Sequence, residues 1–297
     1  MKILISGSRG FVGNALVDHL TDVGHDVWRL LRGSTGGPKQ IGWEPDKGLL
    51  NTADCEGFDA VIHLGGENIA AGRWTKKRKR LIRSSRLSST RLLAMTLSQL
   101  KLRPKVFICA SAVGFYGNRG DEELDESSAP GSGFMAVVGQ EWEQACEPAV
   151  TAGIRVVNAR LGIVIGRGGG ALQKMLLPFR CGLGGKVGNG RQYWSWISLT
   201  DAVRAMEFCL ENEVSGAVNL TAPNSPTNRE FTKALGKVLR RPTIIPLPGF
   251  AARIIMGEMA DAALLASARV KPMVLEREGF VFENADLESA FRSVIGG

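Results

Sequence analysis

The stretch KILISGSRGFVGNALVDHLTDVGHDVWRLLRGS, residues 2 to 34, holds the pattern that decides the fold. Its first five residues, KILIS, form a short apolar run that predicts a buried β-strand. The next segment opens with glycines, ends at Gly24 and has apolar residues at helical spacing, namely Val12, Leu16, Val17 and Leu20. A second apolar run, DVWRLL, completes a strand–helix–strand unit. Such a unit indicates parallel strands joined by a helical crossover.

The same alternation continues through the first half of the chain. Further strands are predicted at residues 59–64, 105–111 and 154–165, and helices at residues 75–100 and 134–152. Strands that alternate with helices form a parallel sheet with helices on both faces. The predicted fold class is therefore α/β, with a doubly wound sheet of the Rossmann type.

The pattern changes after residue 165, where glycine-rich loops and shorter elements begin. Two capping boxes, SLTD at 198–201 and TNRE at 227–230, each predict the start of a helix. The runs GAVNL at 216–220 and TIIPLP at 243–248 predict strands. We expect a dinucleotide-binding domain at residues 1–165. Residues 166–297 would form a smaller α/β lobe for a substrate or partner, with an element or two returning to the sheet.

Composition favours an ordinary globular protein. The 297 residues are 44% hydrophobic and 22% charged. The apolar run at the N-terminus is too short for a secretory signal, and no run approaches the roughly 18 apolar residues that cross a bilayer. These features predict a cytoplasmic protein without a membrane segment. The five cysteines lack a C-x-x-C pair and the three histidines are isolated in sequence, so we predict no metal site.

The net charge of +8 owes much to the basic segment RWTKKRKRLIRSSRLSSTR, residues 73–91. Its apolar residues recur at helical spacing, which leaves Lys76, Lys77, Lys79 and Arg83 on the opposite face. Only one aromatic residue, Trp74, accompanies these cations, and no nucleic-acid reading motif is present. We predict a solvated helix face and no nucleic-acid binding. Attraction of an anionic small substrate is the other alternative.

The turn after the first strand, GSRGFVG, carries Gly7, Gly10 and Gly13 at a spacing of three. Glycines there let the backbone turn tightly and approach a pyrophosphate, whose charge meets the free N–H groups of the helix N-terminus. The strand before it and the helix after it are the context that this motif requires. The first domain is therefore predicted to bind a dinucleotide.

The end of the second strand indicates which dinucleotide binds. An acid about 20 residues past the glycines would favour NAD, but this chain has Arg32 there and Arg9 inside the glycine loop. Arginine guanidinium groups suit the 2′-phosphate that distinguishes NADP. We therefore predict NADP as the cofactor, against the alternative that Arg32 is an exposed charge.

Several stretches together resemble a known family. They are GSRGFVG, DAVIHLGGENI, SRLSSTRLL, VFICASAVGFYG, NARLGIVIGRGGGALQKMLLPF and YWSWISLTDAV. In this order they resemble the extended and atypical short-chain dehydrogenase/reductases. Within these, the chain is similar to the epimerase family labelled nucleoside-diphosphate-sugar epimerases, some members of which are called cell-division inhibitors. The resemblance covers almost the whole chain.

The resemblance implies which residues line the cofactor. At the pyrophosphate they are Gly7, Ser8, Arg9, Gly10, Phe11, Val12 and Gly13, and Arg32 lies at the adenosine end. After the next strands they are Leu64, Gly65, Gly66 and Ser111, and near the nicotinamide Arg160, Leu161 and Gly162. Leu64 and Leu161 have core packing as their alternative.

One feature of the wider superfamily is missing. Active members open the helix after the fifth strand with a Tyr-x-x-x-Lys pair, in which tyrosine moves the proton and lysine lowers its pKa. The stretch SGFMAVVGQEWEQAC, residues 132–146, contains neither residue, and Tyr-x-x-x-Lys occurs nowhere in the chain. We predict that this helix supports the sheet instead, with Phe134, Val137, Val138 and Trp142 buried.

Other residues are candidates for the missing chemistry. Ser111 matches the serine that holds the substrate oxygen in the family, and Tyr116 and Glu67 follow strands at the same sheet edge. For Tyr116 the alternative is a structural role, and for Glu67 it is a bond to nearby backbone. Trp194 and Trp196 would face one side of a strand, where they pack in the core or stack on a flat ligand.

Two functions remain open from the sequence. The first is an NADP-dependent oxidoreductase or epimerase that acts on a small polar substrate, a nucleotide sugar being one option, through a non-standard proton relay. The second is a cofactor-binding scaffold or sensor that regulates a protein partner, for example in cell or organelle division. The sequence fixes neither the substrate nor the oligomeric state.

Overall fold

The computed structural model describes residues 1–33 and 35–295. Its central sheet has seven parallel strands in the order β10-β7-β5-β4-β1-β2-β3. These strands are β1 (Lys2–Ser6), β2 (Asp26–Arg32), β3 (Gln40–Trp43), β4 (Ala60–His63), β5 (Val106–Ala112), β7 (Arg155–Leu161) and β10 (Gly216–Leu220). Strand order reverses between β1 and β4, where ligands bind in doubly wound sheets. The predicted α/β class and Rossmann-type sheet are confirmed.

Two short pairs of strands lie outside the central sheet. The first pairs β6 (Glu123–Leu124) with β11 (Arg269–Val270), and the second pairs β8 (Ile163–Ile165) with β9 (Trp196–Ser198). The helices are α1 (Phe11–Asp22), α2 (Lys76–Ser98), α3 (Phe134–Gln144), α4 (Glu147–Thr151), α5 (Gly170–Arg180), α6 (Leu199–Glu211), α7 (Asn228–Leu239), α8 (Gly249–Met256), α9 (Met273–Arg277) and α10 (Leu287–Ile295). None of the helices in the described part of the chain is long and apolar enough to cross a membrane.

The sheet separates two apolar layers. Ile3 and Ile5 of β1 face one layer, which includes residues of α1 and α6, while Leu4 between them faces the layer that includes residues of α2 and α3. This alternation follows from the two-residue period of a strand. Helix α6 and strand β10 belong to the C-terminal half of the chain, so that half contributes to the main sheet as we expected. The boundary at residue 165 stays a prediction.

The single strand predicted at 154–165 is wrong, because the structure has two strands there. Strand β7 ends at Leu161, and β8 leaves the central sheet to pair with β9. The break is at Gly162, where a Cβ would lie 2.8 Å from the carbonyl oxygen of Ser195. The lack of a side chain at Gly162 therefore lets a second segment approach and redirect the chain.

The two helix starts predicted from the capping-box sequences are confirmed, and so is one of the two later strands. The box before α6 is only half formed, because the Asp201 carboxylate accepts from the Ser198 hydroxyl and not from the Ser198 backbone N–H. The Ser198 hydroxyl accepts from the Asp201 N–H before α6, and Thr227 and Glu230 form a complete capping box before α7. The strand predicted at 243–248 is wrong: only an isolated bridge from Leu247 to Val187 forms there. Prolines remove donors from this segment, so a longer ladder is unfavourable.

Candidate functional site

The glycine loop packs tightly against the end of β4. A Cβ on Gly7 would lie 2.6 Å from the carbonyl carbon of Leu64, and a Cβ on Gly13 would lie 2.2 Å from the carbonyl oxygen of Gly7. Gly7 also has a φ of +72°, which glycine adopts without strain. Gly10 precedes α1 without a side-chain cap. The free N–H groups of the first turn therefore face the crevice at the strand-order reversal, as an anion site requires.

Ser8 has a buried hydroxyl without a partner among the described residues. Its carbonyl oxygen accepts a hydrogen bond from Arg29 Nη1 at 3.2 Å. A buried polar atom that lacks a partner is unfavourable, so the loop suits a polar ligand that would supply one. Arg29 was not predicted as a site residue from the sequence. Its position as a charged residue inside the apolar strand β2 could have indicated a role.

Phe11 and Val12 are the first two residues of α1, and their side chains contact different parts of the structure. A Cβ on Gly169 would lie 2.3 Å from the Phe11 ring, and a Cβ on Gly166 would lie 2.8 Å from it. The glycine-rich segment after β8 therefore covers the Phe11 ring, which explains its composition. Val12 packs against the apolar layer that contains α6. Their predicted contacts with a cofactor stay predictions.

Arg9 and Arg32 lie at the open side of the loop. Arg9 is exposed. Arg32, at the end of β2, has about half of its side chain exposed, and its Nη1 is 3.7 Å from Asp46 Oδ2. A long ion pair at the surface contributes little stability. Among residues 1–33 and 35–295, neither guanidinium group has a strong partner, so both can turn toward a phosphate.

His63 lies below the strand ends and is fully buried. Its ring bonds the hydroxyls of Ser6 and Ser89, the latter at 3.0 Å. Burial, with the charges of Arg32 and Arg86, lowers the pKa of His63 to about 3. The ring is therefore neutral at pH 7, and a Cβ on Gly65 would lie 2.9 Å from its Cε1. His63 supports the loop after β4.

Arg86 is a second functional candidate that the sequence did not reveal. A Cβ on Gly66 would lie 3.2 Å from its Cζ, which is also 4.9 Å from the centre of the Trp142 ring. Its Nη1 donates to the carbonyl oxygen of Glu67 at 3.1 Å. Burial lowers the pKa of Arg86 to about 10, so the group stays charged at neutral pH. A fixed cation therefore stands behind the end of β4.

The basic helix α2 agrees in outline with the prediction. It begins at Lys76 behind the Thr75 cap, exposes Lys76 and Lys77, and buries residues such as Ile82 and Ser85. Arg86, within the same basic segment, points inward instead. Its chemistry could be recognised only from contacts with Gly66 and Trp142 that are distant in sequence.

Glu67 is half-buried at the mouth of the site. Its Oε1 lies 2.9 Å from Arg78 Nη1, and its N–H donates to Ser85 Oγ at 3.0 Å. The carboxylate is therefore partnered, although 31% of the side chain is exposed. A catalytic role for Glu67 stays a prediction.

Ser111 and Arg160 meet on a carboxylate that sequence reasoning left unassigned. Ser111 Oγ donates to Glu143 Oε1 at 2.7 Å, and Arg160 binds the same carboxylate through Nε and Nη2, each at 2.8 Å. A carboxylate accepts only, so the serine proton points to Glu143. Strands β5 and β7 and helix α3 are thus linked by one buried network, and Ser111 is only 2% exposed.

Tyr116 extends this network. Its hydroxyl accepts from Arg160 Nη1 at 2.9 Å and lies 2.8 Å from Asn219 Oδ1 and 2.9 Å from the carbonyl oxygen of Asp125. Burial raises the pKa of Tyr116 to about 12. These are the contacts of a structural residue, the alternative that the resemblance favoured, and the acid role stays a prediction.

Helix α3 has close packing where the catalytic pair would stand. A Cβ on Gly139 would lie 3.2 Å from Phe115 Cα, so a side chain at that position would require Phe115 to move by a few tenths of an ångström. Phe134 packs edge-to-face on Trp74, with ring centres 5.3 Å apart. Val138 and Trp142 are buried as predicted, but the prediction for Val137 is wrong, since it is 48% exposed. Val137 lies on the face of α3 opposite to the one that carries Val138 and Trp142, so its side chain points outward.

The remaining predicted residues belong to the core. Leu64 and Leu161 are partly buried and pack on both apolar layers. Trp194 and Trp196 lie in a third apolar cluster with Phe231. Their indole N–H groups donate to the carbonyl oxygens of Leu264 and Asn224 at 3.2 and 3.1 Å. The two indoles pack in the core, the default that the sequence suggested.

Comparison with known proteins identifies relatives along the full chain. Residues 3–221 match the model of the NAD dependent epimerase/dehydratase family, and residues 247–294 match a domain of unknown function, DUF1731. An epimerase family protein of Mycobacterium leprae is 42% identical over 97% of this chain and 94% of its own length. The human epimerase family protein SDR39U1 is 35% identical over 99% of this chain and 100% of its own.

Solved structures agree with these relationships. Human SDR39U1, crystallised with NADPH, superposes with a TM-score of 0.91 at 33% identity, covering 100% of both chains. A nucleoside-diphosphate sugar epimerase from Corynebacterium glutamicum has a TM-score of 0.81 at 33% identity and covers 99% of this chain and 58% of its own. The resemblance predicted from the sequence motifs is confirmed. The chain belongs to the NAD dependent epimerase/dehydratase family.

Proposed function

We propose that this chain binds NADP(H) in the crevice between β1 and β4. The observation that carries the proposal is the tight glycine loop, with its uncapped helix start and the unpartnered hydroxyl of Ser8. The NADPH bound to human SDR39U1, a relative that aligns along the full chain, supports the same choice. Arg9 and Arg32 have no strong partner and would bind the 2′-phosphate.

Each part of the site would then have a separate task. The backbone from Gly7 to Gly13 would hold the pyrophosphate, and the residues that follow β4, β5 and β7 would surround the nicotinamide end. When bound, the cofactor supplies a hydride or accepts one. Arg86 would keep a positive charge behind the β4 loop, and Arg160 would keep Glu143 and Ser111 in position.

We further propose that any reaction at this site is that of an oxidoreductase or epimerase acting on a small polar substrate without a Tyr–Lys pair. The finding behind this proposal is that residues 132–146 contain neither a tyrosine nor a lysine, so the pair is missing in either register, and α3 packs closely on Phe115 at Gly139. Glu67 is the predicted candidate that keeps an accessible carboxylate at the strand ends. For Glu67 to transfer a proton, its carboxylate would first have to break the ion pair with Arg78.

A second candidate function is a cofactor-loaded protein that regulates a partner. It is favoured by the burial of Ser111, Tyr116 and Arg160, whose polar groups bond one another or nearby backbone. A site whose polar groups are already paired stabilises the fold more readily than it rearranges during turnover.

One pair of assays separates the two candidates. The NADPH-loaded chain is tested for NADPH oxidation with sugar nucleotides, aldehydes and quinones, and for cofactor-dependent capture of a protein partner. Turnover that Glu67→Gln abolishes, while the control Glu122→Gln retains it, supports the enzyme; Glu122 is a carboxylate paired with Arg119. Reproducible capture that requires NADPH, without turnover, supports the regulator. Failure of NADPH to bind at all contradicts both.

A further inference from the structure

A pocket of about 300 Å³ lies in the C-terminal half of the chain, away from the glycine loop. Its walls come from α7, from Lys186 in the segment before α7, and from the segment after it. Arg229, Thr232 and Lys233 belong to α7, and Thr243, Ile244 and Pro246 form the opposite wall. None of these residues belongs to the candidate cofactor site.

Three cations line this pocket. Arg229 and Lys233 are four residues apart on α7 and so share a face. Lys186 approaches Arg229, because a Cβ on Gly190 would lie 3.1 Å from Lys186 Cβ and 3.4 Å from Arg229 Cβ. The three cations therefore surround one pocket, where a bound anion would reduce their mutual repulsion.

These cations differ from their neighbours in lacking carboxylate partners. Within residues 1–33 and 35–295, none of the three forms an ion pair, whereas Lys237, one turn further along α7, pairs with Glu288 at 2.8 Å. Glu230 is the nearest acid in sequence, and Lys233 helps to lower its pKa, but its carboxylate bonds the N–H and hydroxyl of Thr227. Glu230 therefore offsets part of the charge of Lys233, while Lys186 and Arg229 have no carboxylate partner among the described residues.

Thr232 gives an independent indication of a ligand. It lines the pocket, it is 2% exposed, and its hydroxyl has no partner among the described residues. Buried hydroxyls without a partner are rare, because burial removes the water that would otherwise bond them. A bound oxygen acceptor would supply the missing bond.

We propose that this pocket binds a phosphate-bearing small molecule. Arg229 provides a planar fork that fits phosphate oxygens, Lys186 and Lys233 provide point charges, and Thr232 provides a neutral donor. Ile244 and Pro246 form an apolar wall for the part of the ligand that carries the phosphate. Three cations suit a diphosphate better than a single carboxylate, and the concave shape favours a small molecule over a polymer.

Calorimetry with inorganic pyrophosphate tests this proposal on the full chain, saturated with NADPH so that the glycine loop is occupied. At physiological salt we expect one pyrophosphate per chain. Lys186→Ala and Arg229→Ala should each weaken binding by roughly tenfold or more, as the loss of a charge-assisted hydrogen bond does. Thr232→Val should weaken it several-fold. Lys237→Ala removes the same charge from the same helix and should leave binding unchanged.

Several results would overturn the proposal. They are absence of binding at millimolar pyrophosphate, equal weakening by Lys237→Ala, or binding that disappears when NADPH fills the cofactor site. Binding to vesicles that contain phosphatidylserine, without binding of pyrophosphate, would also contradict it in favour of a membrane surface. Melting curves of Arg229→Ala and Thr232→Val show whether each variant is folded. If one of these variants is unfolded, the proposal is tested by comparing pyrophosphate binding of Lys186→Ala, which should be weaker, with that of Lys237→Ala, which should be unchanged.

Discussion

The two ends of the candidate cofactor site differ in how their polar groups are used. At the glycine loop, the first N–H groups of α1, the hydroxyl of Ser8 and the guanidinium of Arg32 lack a strong partner within the described chain. At the strand ends of β5 and β7, Ser111, Glu143, Arg160 and Tyr116 bond one another. Under the proposed function, the glycine loop keeps polar groups available for a cofactor, whereas the polar groups at the ends of β5 and β7 are held in a buried network.

The largest expected effect is at the glycine loop. Gly13→Ala places a Cβ 2.2 Å from the carbonyl oxygen of Gly7, so the loop must move away from the pyrophosphate position. We expect NADPH affinity to fall by at least roughly 100-fold in calorimetry. Gly72→Ala is the control, because a Cβ there meets nothing within 4 Å. If Gly13→Ala bound NADPH with normal affinity, the glycine loop would not be the part of the site that recognises the cofactor, and the contrast between the two ends would be wrong.

At the ends of β5 and β7, a substitution in the buried network should lower the free energy of unfolding. Glu143→Gln removes the carboxylate that pairs with the buried Arg160, and breaking a buried pair costs about 3–5 kcal/mol of unfolding free energy. Glu141→Gln, on the same helix, breaks an ion pair with Arg83, whose side chain is half exposed, and should cost about 0.2–1 kcal/mol. Urea unfolding measures both. Equal losses would show that the Glu143 network is not the structural element we describe.

At the glycine-loop end, Arg32→Ala separates recognition of the 2′-phosphate from recognition of the rest of the cofactor. We expect NADPH binding to weaken by about 1.5–3 kcal/mol, because one charge-assisted contact with the 2′-phosphate is lost, while NADH binding barely changes. Asp46→Asn removes the weak competitor of Arg32 and should not reduce NADPH affinity. Calorimetry that shows equal losses for NADPH and NADH in Arg32→Ala would refute the assignment of the 2′-phosphate to this residue.

The most gradual effect is spread over several pH units and concerns His63, which lies between the two ends of the site. Its pKa of about 3 in the folded chain lies below the usual 6.5, so between these values the unfolded chain binds more protons. Stability should therefore fall as the pH falls from 6.5 toward 3, by at most about 1.4 kcal/mol per pH unit. His63→Gln should flatten this part of the profile. Identical slopes for both proteins would contradict a neutral, buried His63.

The sequence predicts those parts of the fold that local patterns determine. The glycine turn, the alternation of elements and the starts of α6 and α7 depend on neighbouring residues, and the structure has them. The break between β7 and β8 depends instead on the approach of Ser195 to Gly162, which no local pattern encodes.

The candidate site divides in the same way. The glycine loop and Arg32 were found from spacing, since both belong to one strand–helix–strand unit. Arg29 and Arg86 were not found, because their partners Ser8 and Gly66 are distant in sequence. For the same reason, no local pattern indicates that Glu143 bonds Ser111. The missing Tyr-x-x-x-Lys pair was visible in the sequence. The close packing of Gly139 on Phe115 could be seen only in the structure.

The central claim is that the chain holds NADPH but lacks an efficient proton donor beside it. Stopped-flow oxidation of pre-bound NADPH by a panel of carbonyls and nucleotide sugars tests this claim most directly. General acid catalysis contributes about 10² to 10⁴ in rate, so we expect tight binding with oxidation slower by that factor than the roughly 10 per second of a typical enzyme. Oxidation near 10 per second would contradict the account, because a fully effective acid would then be in place.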